Sequence, residues 1–211
     1  MKYYPAFIDL KDKLSVVIGG GRVAERKVRS LLQAGAQVRV ISPEITEGLA
    51  KLRKRGLLKH VKRTYRKGDL KNAFIVIAGT SSSTVNKKIA EDAEHLVNVI
   101  DAPPEGNFIV PSLIRKGALT IAISTEGTSP AVSRKIRKEI ETLYGKEYSQ
   151  YLKFVETVRQ ETLTTVKDSR KRKRIFNYLA SDNILHLLRN KGFKETCTEI
   201  KIYLETKTDK L

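Results

Sequence analysis

In the stretch Leu14-Ser-Val-Val-Ile-Gly19-Gly-Gly21-Arg-Val-Ala24, a β-branched apolar run ends in a glycine cluster that fits G-x-G-x-x-A. Gly19, Gly21 and Ala24 occupy its fixed positions. A helical pattern continues to Ala34, Gly35 stops it, and a second β-branched run follows at Val38–Ile41. Strand, glycine turn, helix and strand is the context in which this fingerprint holds a dinucleotide. Gly19 permits the tight turn, Gly21 lets backbone approach a pyrophosphate, and Ala24 lets helix and strand pack closely. The helix N-terminus adds free N–H groups and a positive dipole end. A tight βα turn that binds nothing would use similar residues, so the motif needs its surroundings.

Those surroundings alternate. Strands are expected near 14–18, 37–41, 58–63, 74–78 and 96–100, with helices near 22–34, 43–55 and 83–95. The continuous apolar run Phe74-Ile-Val-Ile-Ala78 suits a strand covered on both faces. The expected fold is α/β: a Rossmann-type, mostly parallel sheet whose ligand sits outside the carboxyl ends of its strands. The loops that matter then begin at Gly19, Ser42, Gly79 and Asp101. After the turn cluster Pro103-Pro-Glu-Gly106, further strands are expected at Phe108–Val110 and Leu119–Ile123. Gly127-Thr-Ser-Pro130 opens a helix to about Leu143, with Ser129 as N-cap and Pro130 at the first helical position. From Glu147 the pattern is three or four helices with breaks near Ser169, Ser181 and Gly192.

Composition restricts partners and compartment. The 211 residues include 41 Lys+Arg and 23 Asp+Glu, a formal charge of +18 that favours anionic partners. The single Cys197 excludes an internal disulfide framework and suits a reducing, cytoplasmic location. Pro5 and Asp9 interrupt the apolar core a signal peptide would need, and no apolar run suits a membrane span. His60, His95 and His186 fall in separate elements, so no metal site is expected. The run Arg170-Lys-Arg-Lys-Arg174 reads as a solvated helix face or an anion site. No aromatic stacking motif accompanies it, which disfavours a nucleic-acid partner.

Three places can carry chemistry. The loop Gly79-Thr80-Ser-Ser-Ser-Thr84 offers small hydroxyls to ribose or phosphate, or is a plain polar loop with Ser82 or Ser83 as helix cap. Asp101 ends the 96–100 strand, where nicotinamide and substrate would meet; it is a general acid–base group or a turn residue before Pro103. The second strand ends Ile41-Ser42-Pro43-Glu44, which leaves NAD open through Glu44 and NADP open through Ser42 and Arg22.

Taken together, Tyr4-Pro-Ala-Phe7, Val17-Ile-Gly-Gly-Gly-Arg-Val-Ala-Glu-Arg-Lys27, Asn98-Val-Ile-Asp-Ala-Pro103, Phe108-Ile-Val-Pro-Ser112 and Ala122-Ile-Ser-Thr-Glu-Gly-Thr-Ser-Pro130 resemble the siroheme-synthase N-terminal module family. Its members are precorrin-2 dehydrogenases, and some are also sirohydrochlorin ferrochelatases. The resemblance covers about the first 145 residues. It implies an NAD-binding domain over 1–112, a dimerisation segment over 113–145 and an all-helical domain over 146–211, assembled as a homodimer. It implies oxidation of precorrin-2 to sirohydrochlorin with NAD as cofactor, and in bifunctional members insertion of Fe2+. The family's catalytic aspartate carries onto Asp101, and its cofactor contacts onto Arg22, Val23, Pro43 and Glu44, which favours NAD. Thr125 stands where some members have Ser, and Glu126 where they have Gly. No methyltransferase follows in this sequence, so precorrin-2 is expected from a separate enzyme. Positive charge suits the polycarboxylate substrate, with Ser129, Arg134 and Lys135 at the start of their helix as binding residues. A nucleotide sensor without catalysis is the competing expectation, and a nucleic-acid-binding protein a weaker one.

Overall fold

The computed structural model describes residues 2–208, and the chain divides into two compact units between Val110 and Pro111. In the first unit, β1 (Leu14–Ile18), α1 (Arg22–Gln33), β2 (Gln37–Ile41), α2 (Glu47–Lys54), β3 (Leu58–Val61), β4 (Ile75–Ala78), α3 (Ser83–Asp92) and β5 (Leu96–Val99) follow one another. The five strands form one sheet in the order β3-β2-β1-β4-β5, and every pairing is parallel. Val17 stands opposite Val40 on one side and Ile77 on the other.

The central strands are apolar on both faces because helices cover both. Val17, Val40 and Ile77 pack with Val28 and Leu31 of α1 and Leu49 of α2. Ile18 and Val76 point the opposite way and pack with Leu70 and with Ile89 of α3. Strand periodicity alone sorts these residues between the two layers. The chain order reverses direction across the sheet between β1 and β4, and their carboxyl ends open the crevice used by such folds.

Two expected elements differ. The second helix begins at Glu47 rather than at 43, because the Thr46 hydroxyl accepts the Leu49 N–H (3.2 Å) and caps it there. Pro43–Ile45 is left as a loop. Phe108–Val110 forms no strand. It is held beside β5 by the Asn107 and Phe108 N–H groups, which donate to the Val97 carbonyl (3.0 and 3.4 Å), and by two side chains: Asn98 Nδ2 donates to the Phe108 carbonyl (3.0 Å), while Asn107 accepts the Val97 N–H (2.8 Å). The side chains take the Val97 N–H and the Phe108 carbonyl, so the ladder does not continue.

The second unit begins with an antiparallel hairpin, β6 (Ser112–Lys116) and β7 (Leu119–Ile123), whose turn holds Gly117 at φ +61°. Helices α4 (Pro130–Leu143), α5 (Glu147–Thr165), α6 (Ser169–Leu179), α7 (Asp182–Lys191) and α8 (Phe193–Thr208) follow. Ser129 caps α4 by accepting the Val132 N–H (3.3 Å), with Pro130 at the first helical position as expected. Asp168 caps α6, and Gly192 at φ +84° ends α7. The core gathers Tyr151, Val158, Leu179, Leu188 and Ile200. Tyr151 donates to the Leu179 carbonyl inside it, and burial pushes its hydroxyl pKa up to about 12.

Candidate dinucleotide site

A cleft of about 1050 Å³ opens at the carboxyl ends of the sheet in the first unit. Gly19, Gly21, Arg22, Val23, Pro43, Glu44, Thr80 and Asp101, singled out in the sequence for cofactor and catalysis, all line it, whereas Ser129, Arg134 and Lys135 do not. They come from four separate loops, brought together because parallel strands deliver every βα loop to one edge.

The glycine turn is built for close approach. Gly19 holds φ +122°, and a Cβ there would lie 2.2 Å from the Gly79 carbonyl oxygen. A Cβ on Gly20 would lie 1.9 Å from the Glu44 carbonyl oxygen. Gly20 is therefore required although the fingerprint leaves its position free, and only the neighbouring loop makes it so. A Cβ on Gly21 would meet nothing within 4 Å, so that position faces open cleft. Ala24 is buried under the turn. Helix α1 starts at Gly21 with no side-chain cap, whereas Thr46 and Ser82 cap α2 and α3. Its first backbone bond runs from the Glu25 N–H to the Gly21 carbonyl (2.9 Å). The first-turn N–H groups and the dipole end are thus directed at the cleft, with no side-chain cap among the described residues. A pyrophosphate fits this cradle.

The other walls are fixed from behind. The Ser42 carbonyl accepts His60 Nε2–H (2.9 Å), which gives the half-buried His60 a packing role. Glu44 is exposed, and its carboxylate has no partner among the described residues. Thr80 is committed more than its sequence position suggested. Its N–H and hydroxyl both reach Asn86 Oδ1 (3.0 and 2.8 Å), so it shapes its loop rather than offering a free hydroxyl. Asn86, buried in α3, was not readable as part of the site; a polar residue on the inward helix face was its only signal. Tyr65 adds an aromatic wall, and its hydroxyl donates to Asp92 (2.7 Å). Burial first, then Asp92, pushes the Tyr65 pKa well above its ordinary value.

Asp101 follows β5 and is exposed, with no hydrogen bond or ion pair to its carboxylate among the described residues. The carboxylate is open to a ligand in the cleft. Ser129, Arg134 and Lys135 belong to the second unit. The Ser129 oxygen is used in capping α4, Arg134 is exposed without an ion pair among the described residues, and Lys135 lies 3.8 Å from Glu139. Glu126 sits at φ +52°, a conformation that favours glycine. Of the basic run, Arg172 is structural: it donates to the Val166 and Lys167 carbonyls (3.0 and 2.9 Å) and closes the end of α5. Among the described residues no helix is long and apolar enough to cross a membrane, and no cluster of three or more His, Cys, Asp or Glu could hold a metal.

The parallel sheet, glycine turn and uncapped helix define a dinucleotide-binding protein of the Rossmann class. Residues 6–112 match the family described as putative NAD(P)-binding, and residues 116–143 match the one described as sirohaem biosynthesis protein, central. The chain belongs to this siroheme-synthase N-terminal family. It is 39% identical over 171 residues to a siroheme synthase of Methylobacillus flagellatus, covering 78% of this chain and 37% of that protein. It is 30% identical over 208 residues to a siroheme synthase of Actinobacillus succinogenes, covering 97% of this chain and 44% of that one. The chain thus spans about two-fifths of the length of these relatives. Among solved structures, one titled SirC, precorrin-2 dehydrogenase, matches with TM-score 0.82 at 26% identity, over 95% of this chain and 100% of that one.

Proposed function

We propose that the chain is an NAD-dependent precorrin-2 dehydrogenase that forms sirohydrochlorin. One observation carries this: Asp101, a carboxylate with no partner among the described residues, lines the same cleft as the cradle for a dinucleotide. The likeness to SirC over that protein's whole length supports the substrate. The reaction removes two hydrogens from precorrin-2, one as hydride and one as proton. Bound NAD+ supplies the hydride acceptor. Asp101 takes the proton, acting as general base. Gly21 and the first turn of α1 receive the pyrophosphate. Glu44 accepts the adenosine ribose hydroxyls, and its charge opposes the extra phosphate of NADP, which makes NAD the cofactor. Ser129, Arg134 and Lys135 hold substrate carboxylates. Incubation with precorrin-2 and NAD+, read as sirohydrochlorin formation, tests the proposal. In a second activity Fe2+ enters sirohydrochlorin as the two pyrrole protons leave, and Asp101 is the group placed to take them. A cytoplasmic location accords with the single cysteine and the need for NAD.

The segment 113–145 is proposed to form a homodimer. A two-stranded hairpin is marginal on its own. Leu113, Val132 and Leu143 leave 37%, 48% and 53% of their surface exposed along β6 and α4. Sedimentation at micromolar concentration is expected to give twice the chain mass. A fully active monomer would contradict the proposal.

A further inference from the structure

Glu25 lies in α1 just past the glycine turn but does not line the cleft. Its Oε2 accepts the Thr46 hydroxyl at 2.5 Å, and its Oε1 accepts Arg29 at 2.6 and 2.9 Å. The Thr46 oxygen in turn accepts the Leu49 N–H (3.2 Å), and the Thr46 N–H donates to the Gly20 carbonyl (3.0 Å). Every donor and acceptor direction is forced, because a carboxylate accepts only and the single hydroxyl hydrogen goes to it. The Thr46 bond, then Arg29, hold the Glu25 carboxyl below its ordinary pKa, so it is ionised at neutral pH. Packing repeats the message. A Cβ on Gly48 would fall 1.9 Å from Glu25 Oε1, and one on Gly20 falls 1.9 Å from the Glu44 carbonyl oxygen. The glycine turn and the Pro43–Thr46 turn therefore interlock: backbone demands glycine at position 20, and a Cβ on Gly48 would displace the Glu25 carboxylate.

We propose that Glu25 is a positioning residue for dinucleotide binding: through Thr46 it locks the Pro43–Glu44 turn to the glycine turn, fixing the spacing between the ribose and pyrophosphate contacts. The inference rests on the dinucleotide site proposed above. Pro43 and Glu44 are exposed, and the turn they form is held at its start by Ser42, whose N–H reaches the Val61 carbonyl (3.2 Å). At its far end the side-chain tie is Thr46 to Glu25. Without it the far end keeps only the backbone bond from the Thr46 N–H to the Gly20 carbonyl, and the ligand must supply part of the ordering of Glu44, which lowers affinity for the adenosine half.

Titration of the whole chain with ADP-ribose, the half that spans both turns, reads this directly. Glu25→Ala is expected to weaken binding about tenfold, the size of one lost charge-assisted hydrogen bond. Glu25→Gln keeps an acceptor for Thr46 and is expected to stay within about threefold of the parent. A merely destabilised fold would lower the melting temperature without that rescue. Should Glu25→Ala not fold, Thr46→Val removes the donor to Glu25 together with the α2 cap, and Thr46→Ser, which keeps both bonds, is its rescue. Parent-like affinity in Glu25→Ala, or in Thr46→Val where that variant is used, overturns the clamp and leaves the site standing. Equal loss in Glu25→Ala and Glu25→Gln also overturns the clamp, since charge rather than the tie to Thr46 then matters. A parent chain that binds neither ADP-ribose nor NAD+ overturns the site itself, and the clamp with it.

Discussion

Asp101→Asn is expected to bind NAD+ and to assemble as the parent does, yet to lose most of its turnover of precorrin-2. The variant keeps the size and planarity of the side chain but cannot accept a proton. Asp101 is exposed in the cleft, and its carboxylate bonds to no described residue, so the change removes no structural contact. General-base catalysis contributes about a hundred- to ten-thousand-fold, roughly 3–5 kcal/mol of transition-state stabilisation. The loss is expected in kcat at saturating NAD+ and precorrin-2. Any insertion of Fe2+ falls with it, because that reaction also needs a proton acceptor. Near-parental turnover by Asp101→Asn would reduce Asp101 to a turn residue and leave catalysis to positioning alone.

Gly21→Asp is the second large effect, and the geometry separates binding from folding. A Cβ at this position meets nothing within 4 Å, and Gly21 is the N-cap of α1. Asp is among the best N-cap residues, so stability is expected to hold or rise. The same carboxylate would occupy the anion position at the helix N-terminus and satisfy its free N–H groups. It would also face a pyrophosphate at short range, a repulsion of about 4 kcal/mol between unit charges 4 Å apart near a protein surface. NAD+ affinity is therefore expected to drop on the order of a thousandfold. Calorimetric titration beside a thermal melt checks both halves. Unchanged affinity in a folded variant would mean that the cradle does not receive phosphate.

Much of this arrangement is readable from the chain because strands and glycine turns are local signals. The run Leu14–Ile18 and the spacing Gly19, Gly21, Ala24 locate β1, the turn and α1 without reference to anything distant. Asp101 is readable for the same reason, as the residue that ends the reading of a strand. What escapes is the contact between loops. Gly20 looks interchangeable until the Glu44 carbonyl comes to rest against it. Pro43-Glu44 resembles a helix start, but the cap is Thr46, whose hydroxyl is tied to Glu25, 21 residues away. Thr80 lines the cleft, and its bond to Asn86 has no signal in the loop's own composition. Phe108–Val110 has strand composition, yet Asn98 and Asn107 decide its path. In each case a side chain remote in sequence outweighs local propensity, which periodicity cannot register.

The central claim is that this chain removes hydride from precorrin-2 and that the glycine cradle holds its acceptor. Anaerobic turnover of precorrin-2 by the purified chain with NAD+, following NADH and sirohydrochlorin together, tests it most directly. One NADH is expected for each sirohydrochlorin formed, with neither product appearing when Gly21→Asp replaces the parent. NAD+ bound by the parent without consumption of precorrin-2 would contradict it and leave a nucleotide sensor in place of an enzyme.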